Sequence, residues 1–221
     1  MVQQLGPMFT IYIIHYKKLI DRKKAILTNL KKLPYPFEFI DKYDRDNLKT
    51  EDLSYFTNDK DNIHKSIFLS HIEAYKRHLK SRDKFSLVLE DDSIPNEVFK
   101  NNNQKYIKEL PSDFDLFFIS PGKNNFHIPI YLRNPFKKVH RKKNIETRWG
   151  GHGASRCADA YFISEKCAKK LCDEFYYSNI KIDTSIDWWM NLMIDKYKLK
   201  VYWAQPTIIE TNKYVSAFDI V

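Results

Sequence analysis

Phe85-Ser86-Leu87-Val88-Leu89-Glu90-Asp91-Asp92 is an apolar run that ends in three consecutive carboxylates. The run reads as a short buried strand. Burying charge is costly unless it is paired or bound to a cation. In open α/β sheets, ligands sit just outside the carboxyl ends of the strands. Three acids at such an end therefore point to a metal ion, and hard divalent cations there bridge readily to phosphate. If the strand persists, alternation sends Glu90 and Asp92 to one side and Asp91 to the other. The competing readings are an exposed charged turn, or a cap for the helix that begins near Glu97.

The flanking segments supply a sheet for that strand. Phe9 to Ile14 is apolar and β-branched and reads as a second buried strand. Ile26, Leu27, Leu30 and Leu33 recur at helical spacing, which predicts a helix over 21–33 stopped by Pro34 and Pro36. Phe37 to Ile40 is the next strand, so the three form a βαβ unit with a right-handed crossover. Further helices are expected over 64–79, 97–110, 165–175 and 187–197, and strands over 115–119, 158–164 and 200–204. Strands alternating with helices argue for an α/β fold with a mostly parallel central sheet. Asp41 to Asn62 reads as a polar loop with a short helix. Pro121 to Gly153 is long, basic and turn-rich, a size that is usually functional.

Composition limits the alternatives. Across 221 residues, 43% hydrophobic content suffices for one sizeable core. An aromatic share of 15% is too high for a disordered chain. Cys157, Cys167 and Cys172 form no CxxC pair, which argues against a disulfide framework or zinc knuckle and suits a reducing compartment. The net charge of +9 is spread along the chain, with one dense cluster from Lys137 to Lys143. That cluster is either a solvated loop or a patch for an anionic partner. No basic helix with interleaved aromatics suggests nucleic acid. No stretch is long and apolar enough to span a membrane, and no signal peptide is evident, so a cytoplasmic location is expected. Met1 to Pro7 read as an added leader, with one domain over 8–221.

Several neighbours sharpen the meaning of the acids. Leu69-Ser70-His71 lies on the helix just before the strand, and Asp44 follows the second strand. Ala160-Tyr161 opens a strand that turns into a small-residue helix. Asp187 lies within Ile186-Asp187-Trp188-Trp189-Met190. In this order, with Leu89-Glu90-Asp91-Asp92 as the signature, the chain resembles glycosyltransferase family 25, the lipopolysaccharide-type and collagen galactosyltransferases. The likeness runs from Phe9 to about Ser216.

The resemblance implies a single Rossmann-like domain of GT-A type, a UDP-sugar donor, and Mn²⁺ or Mg²⁺. It implies that Glu90, Asp91, Asp92, Asp44, Arg22 and Ile13 border the nucleotide, with Asp92 and Glu90 as the metal ligands. It implies an inverting transfer of a hexose, galactose or glucose, to a hydroxyl of a glycan or other hydroxylated acceptor. Asp187 is the expected base, with Asp183 as substitute, and Trp188 or Trp189 offers a face to a sugar ring. Arg148, Arg156 and the basic cluster are candidates for diphosphate contacts, and Gly150, Gly151 and Gly153 for close backbone approach. His64, His71 and His78 recur at heptad spacing, and His71, with Ser70, is read as structural support for the strand end. The chain departs from the family at His15, where Asn is usual, and in lacking a glycine before Leu69. It also has no histidine after His152 to complete a metal shell, so Asn212 or a water would fill that place. The rival readings are a non-catalytic glycan-binding relative and a basic, metal-dependent domain acting on nucleic acid. A homodimer stays open.

Overall fold

Ile11–Ile14 forms strand β1, buried along its whole length. The computed structural model describes residues 9–57, 60–122, 133–142 and 157–211. Helix α1 (Ile20–Leu30) follows and turns Arg22, Ile26 and Leu30 inward. Strand β2 (Phe37–Ile40) then pairs in parallel with β1. The chain returns through α2 (Thr50–Leu53) and the long α3 (Asn62–Lys80). Asp61 caps α3 by accepting the His64 N–H at 2.8 Å, and Arg77 and Lys80 occupy its last turn, where positive charge suits the helix dipole.

Strand β3 (Phe85–Glu90) is the run on which the sequence reading rested, and it pairs in parallel with β1 so that Glu90 lies level with Ile14. After it come β4 (Ser93–Pro95), α4 (Glu97–Glu109), β5 (Leu116–Phe118), β6 (Val139–Arg141) and β7 (Ala160–Ser164). Then follow α5 (Glu165–Tyr177), α6 (Ile186–Tyr197), β8 (Val201–Ala204) and β9 (Ile209–Thr211). The main sheet has the order β2-β1-β3-β7-β5-β8-β6, and β4 pairs with β9 in a separate ribbon. Five strands of the main sheet run one way; β7 and β6 run against them. The expected α/β class with a mostly parallel sheet is therefore observed.

The sheet's two faces bury two apolar layers. Val88 and Tyr161 pack with α3, α5 and α6 on one face. Leu87, Leu89 and Phe162 pack with α1 and α4 on the other. Adjacent residues of β3 thus enter different layers, as the pleat requires. Cys167 and Cys172 are free thiols in the first layer and pack as apolar groups.

One expectation is corrected. The long basic loop over 121–153 contains strand β6, whose Val139 and His140 are buried while Arg141 is exposed. Lysines around an outermost strand are common, because they discourage further pairing there. They also mask the strand's apolar period in the sequence.

Candidate active site

The end of β3 lies between the end of β1 and the start of β7. Ile14 is level with Glu90, and Leu89 with Ala160. Glu90 N–H donates to the Asp159 carbonyl at 2.8 Å, which extends the β3–β7 pairing one step beyond the strands. His15, Glu90, Asp91, Asp92 and Asp159 consequently share one edge of the sheet.

β3 ends at Glu90, and Asp91 and Asp92 form the turn after it. Alternation holds for the first pair. Glu90 faces α3, with Oε1 3.6 Å from His71 Nε2. Asp91 faces α1. Its Oδ1 accepts from Arg22 Nη1 at 2.9 Å, and its Oδ2 lies 2.7 Å from His15 Nδ1. At Asp92 the alternation stops, because its Oδ2 is 3.6 Å from the same Arg22 Nη1. The expected common side for Glu90 and Asp92 is thus not kept by strand geometry.

His71 is fully buried in α3, and its Nδ1 hydrogen-bonds the Tyr161 hydroxyl at 2.7 Å. Tyr161 in turn meets the Tyr75 hydroxyl at 2.5 Å. This buried chain fixes the ring that faces Glu90. Burial pushes the His71 pKa down to about 3 against the opposing pull of Asp187 and Asp159, so the ring is neutral at physiological pH.

Asp159 was not singled out from the sequence. It is 5% exposed, and its Oδ1 accepts from Ser120 Oγ at 2.6 Å. Burial pushes its pKa up to about 6; the Ser120 hydrogen bond opposes this, and the charge of Asp92 adds to it. Its Oδ2 is buried and has no hydrogen-bond partner among the described residues.

The other expected site residues lie at varied distances from this centre. Arg22 is buried and directly engaged. Asp187, in the first turn of α6, accepts from Trp188 N–H at 2.9 Å through Oδ1 and from Cys157 N–H at 3.1 Å through Oδ2. Cys157 adopts φ 65°, an uncommon conformation outside glycine, on the segment leading to Asp159. Asp187 therefore ties α6 to the approach of β7, and its charge is felt at His71. Asp183 is exposed just before α6. Asp44 lies beyond β2 and accepts the Asp46 N–H at 3.0 Å within a local turn. Ile13 is fully buried, with its side chain in the α1 layer. Trp189 is a core residue in the α3 layer, while Trp188 is 40% exposed beside Asp187. The described part of the basic cluster runs along β6, with β7, β5 and β8 between it and β3. That is roughly 19 Å at about 4.8 Å per strand. Lys143, Arg148, Gly150, Gly151, Gly153, Arg156, Asn212 and residues 1–7 lie outside the described residues.

Whether these residues suit a divalent cation turns on their oxygens. Among the described residues, no group of three or more His, Cys, Asp or Glu side chains is placed to hold a metal ion. Asp91 has both oxygens engaged by Arg22 and His15 and offers little to a metal. The other two acids of the run are Glu90, beside His71, and Asp92, beside Arg22. A pair of carboxylates is as many as a cation such as Mg²⁺ usually takes from a protein, the rest of its shell coming from substrate phosphates and water.

Carboxylates thus line the sheet edge where β3 meets the antiparallel β7. Residues 8–186 match the model for "Glycosyltransferase family 25 (LPS biosynthesis protein)". The chain belongs to glycosyltransferase family 25. No curated protein matches it. Among solved structures, it is similar at 13% identity to a glycosyltransferase involved in glycosylation of the major capsid of PBCV-1, with a TM-score of 0.48, covering 87% of this chain and 76% of that one. It is similar at the same identity and TM-score to galactosyltransferase LgtC, solved with donor and acceptor sugar analogs, covering 89% of this chain and 73% of that one. A third likeness, to apo GlyE of Streptococcus pneumoniae, has 10% identity and a TM-score of 0.42, covering 89% of this chain and 45% of that one. Among the described residues, no helix is long and apolar enough to cross a membrane.

Proposed function

We propose that this glycosyltransferase is inverting and moves a hexose, galactose or glucose, from a UDP-sugar to a hydroxyl of a glycan or other hydroxylated acceptor. The observation that carries the proposal is the acid-bearing end of β3, flanked by Arg22 on one face and His71 on the other. Glu90 and Asp92 would hold Mn²⁺ or Mg²⁺. When bound, that cation would neutralise charge on the departing diphosphate.

The chain's own residues divide the remaining work. Arg22 and His15 fix Asp91, which sets the turn that presents Asp92. The His71–Tyr161–Tyr75 chain fixes the ring that faces Glu90. Inversion requires a base on the acceptor's side. Asp187 takes that role: each Oδ2 lone pair can accept, and only the Cys157 amide donates to that oxygen among the described contacts. Trp188 presents a partly exposed indole next to it for an acceptor sugar.

Free nucleotide release from a panel of nucleotide-sugars, with and without Mn²⁺, tests this reading. UDP release that needs the metal is expected, and Asp92→Asn should lower it by at least roughly a hundredfold, a typical loss when charge stabilisation is removed. Asp187→Asn should depress turnover while leaving metal-dependent UDP binding in place. If no nucleotide-sugar is consumed and no nucleotide raises the melting temperature, this reading falls.

A further inference from the structure

The basic cluster ahead of β6 holds the most exposed large apolar side chain among the described residues, Phe136, at 93%. Its exposure is built into a tight turn. Asn134 Oδ1 accepts the Phe136 N–H at 2.9 Å, and the Asn134 carbonyl accepts the Lys137 N–H at 3.0 Å. The Asn134 N–H donates to Nε2 of the buried His140 at 3.1 Å. Glu109, at the end of α4, accepts the Lys138 and Val139 N–H groups at 2.9 and 3.0 Å and anchors the far side of the turn. Pro135 has no N–H to satisfy. The amides at the tip are therefore all accounted for within the turn. A tip of this kind can leave water without stripping a donor of its partner, which is the condition for entering an apolar phase.

Charge surrounds the ring. Residues 133–142 carry Arg133, Lys137, Lys138, Arg141 and Lys142 and no acid. Lys137 and Arg141 are exposed, whereas Lys138 leans over the Tyr106 ring. Lysines alone would serve to block strand pairing at this edge, but an exposed ring at the turn tip adds nothing to that. A surface for single-stranded nucleic acid would offer several aromatic platforms along a groove. One ring at the head of a cationic turn instead matches a bilayer boundary, where the ring sinks below the headgroups and the cations stay among the phosphates.

We propose that the turn over 134–137 docks this chain on an anionic lipid surface, with Phe136 as the inserting side chain and Lys137 and Arg141 held against lipid phosphates. The inference stands apart from the reading of the β3 end, from which β6 is separated by β7, β5 and β8.

The test is co-sedimentation of the full chain with vesicles of phosphatidylcholine alone and of phosphatidylcholine mixed with phosphatidylglycerol. Binding to the mixed vesicles only, weakened by salt, is the expected result. Phe136→Ser should lower the partition coefficient roughly tenfold, from the lost burial of the ring, and Lys137→Ala roughly fivefold. Phe136→Trp should keep binding and shift its emission to the blue on mixed vesicles beyond any shift of the parent. No binding by the parent, an unchanged partition for Phe136→Ser, or no added shift for Phe136→Trp overturns the proposal. Lys137-dependent binding to duplex DNA or heparin without binding to vesicles also overturns it, and makes the cluster a site for a soluble polyanion.

Discussion

Asp91 and Asp159 sit at the same sheet edge, on opposite sides of Glu90, and each is 5% exposed. On the α1 face, Asp91 is saturated by a guanidinium and an imidazole. On the side of β7, Asp159 has one hydroxyl donor, an orphaned oxygen and an acid for a neighbour. Residue type and burial are matched, so what separates them is the partner set. A buried carboxylate whose partners are complete holds the scaffold together. One whose partners are incomplete destabilises the fold when it carries its charge.

Substitutions on the two faces should therefore have opposite signs. The largest effect is expected from Arg22→Met, which leaves Asp91 a buried charge with a single partner. A loss of about 3–5 kcal/mol is expected from urea denaturation, and a loss under about 1 kcal/mol would erase the contrast. Asp159→Asn should do the reverse in metal-free protein. The folded state holds the Asp159 proton up to about pH 6, whereas the unfolded chain releases it near the ordinary carboxylate value. Stability thus falls as pH rises from about 4 to 6 and stays lower above that range. The amide variant escapes this, so at pH 8 it should be more stable than the parent by up to about 3 kcal/mol, with the gain vanishing by pH 4. Denaturant melts at the two pH values check this.

A smaller effect comes from His71, which shares the α3 face with Glu90. Its folded pKa of about 3 lies below that of the unfolded chain, so its contribution is complete above about pH 6.5 and is lost as the pH falls. Between pH 7 and pH 5 this amounts to about 2 kcal/mol. Its slope opposes that of Asp159 between pH 4 and 6. Asp159→Asn should therefore steepen the acid-side decline of the whole protein, and His71→Gln should flatten it. If neither variant changes the slope, the two faces do not differ electrostatically as described.

How far the sequence reveals this site depends on how local each signal is. The strand before Glu90 and the acids after it are contiguous, and helix α3 announces itself through Phe68, Ile72 and Tyr75 on one face. Arg22 came from resemblance and is indeed brought to the acids. His15 was noticed only as a departure, yet it completes the Asp91 pairing. Asp159 lies between two alanines just ahead of a recognisable strand, and an acid entering an apolar strand was the signal available for it. Its importance depends on register: Leu89 opposite Ala160 places it beside Glu90. The direction of β7 left no mark, because Ala160-Tyr161-Phe162-Ile163 is buried on both faces and would read alike in either orientation. Strands β4 and β9 are three residues each, too short for a periodic signal.

Strand β7 has a consequence for the order in which the molecule assembles. It is the only strand that joins β2-β1-β3 to β5-β8-β6 within the described sheet. Its partners in β3 lie more than seventy positions upstream, and closing so long a loop comes at an entropic cost that local contacts avoid. The β2-β1-β3 unit and the pairing of Asp91 draw only on residues between Ile11 and Asp91. The crowding of Asp159 against the other acids arises only when β7 docks. The pairing of Asp91 is thus local in sequence, whereas the surroundings of Asp159 depend on a long-range contact.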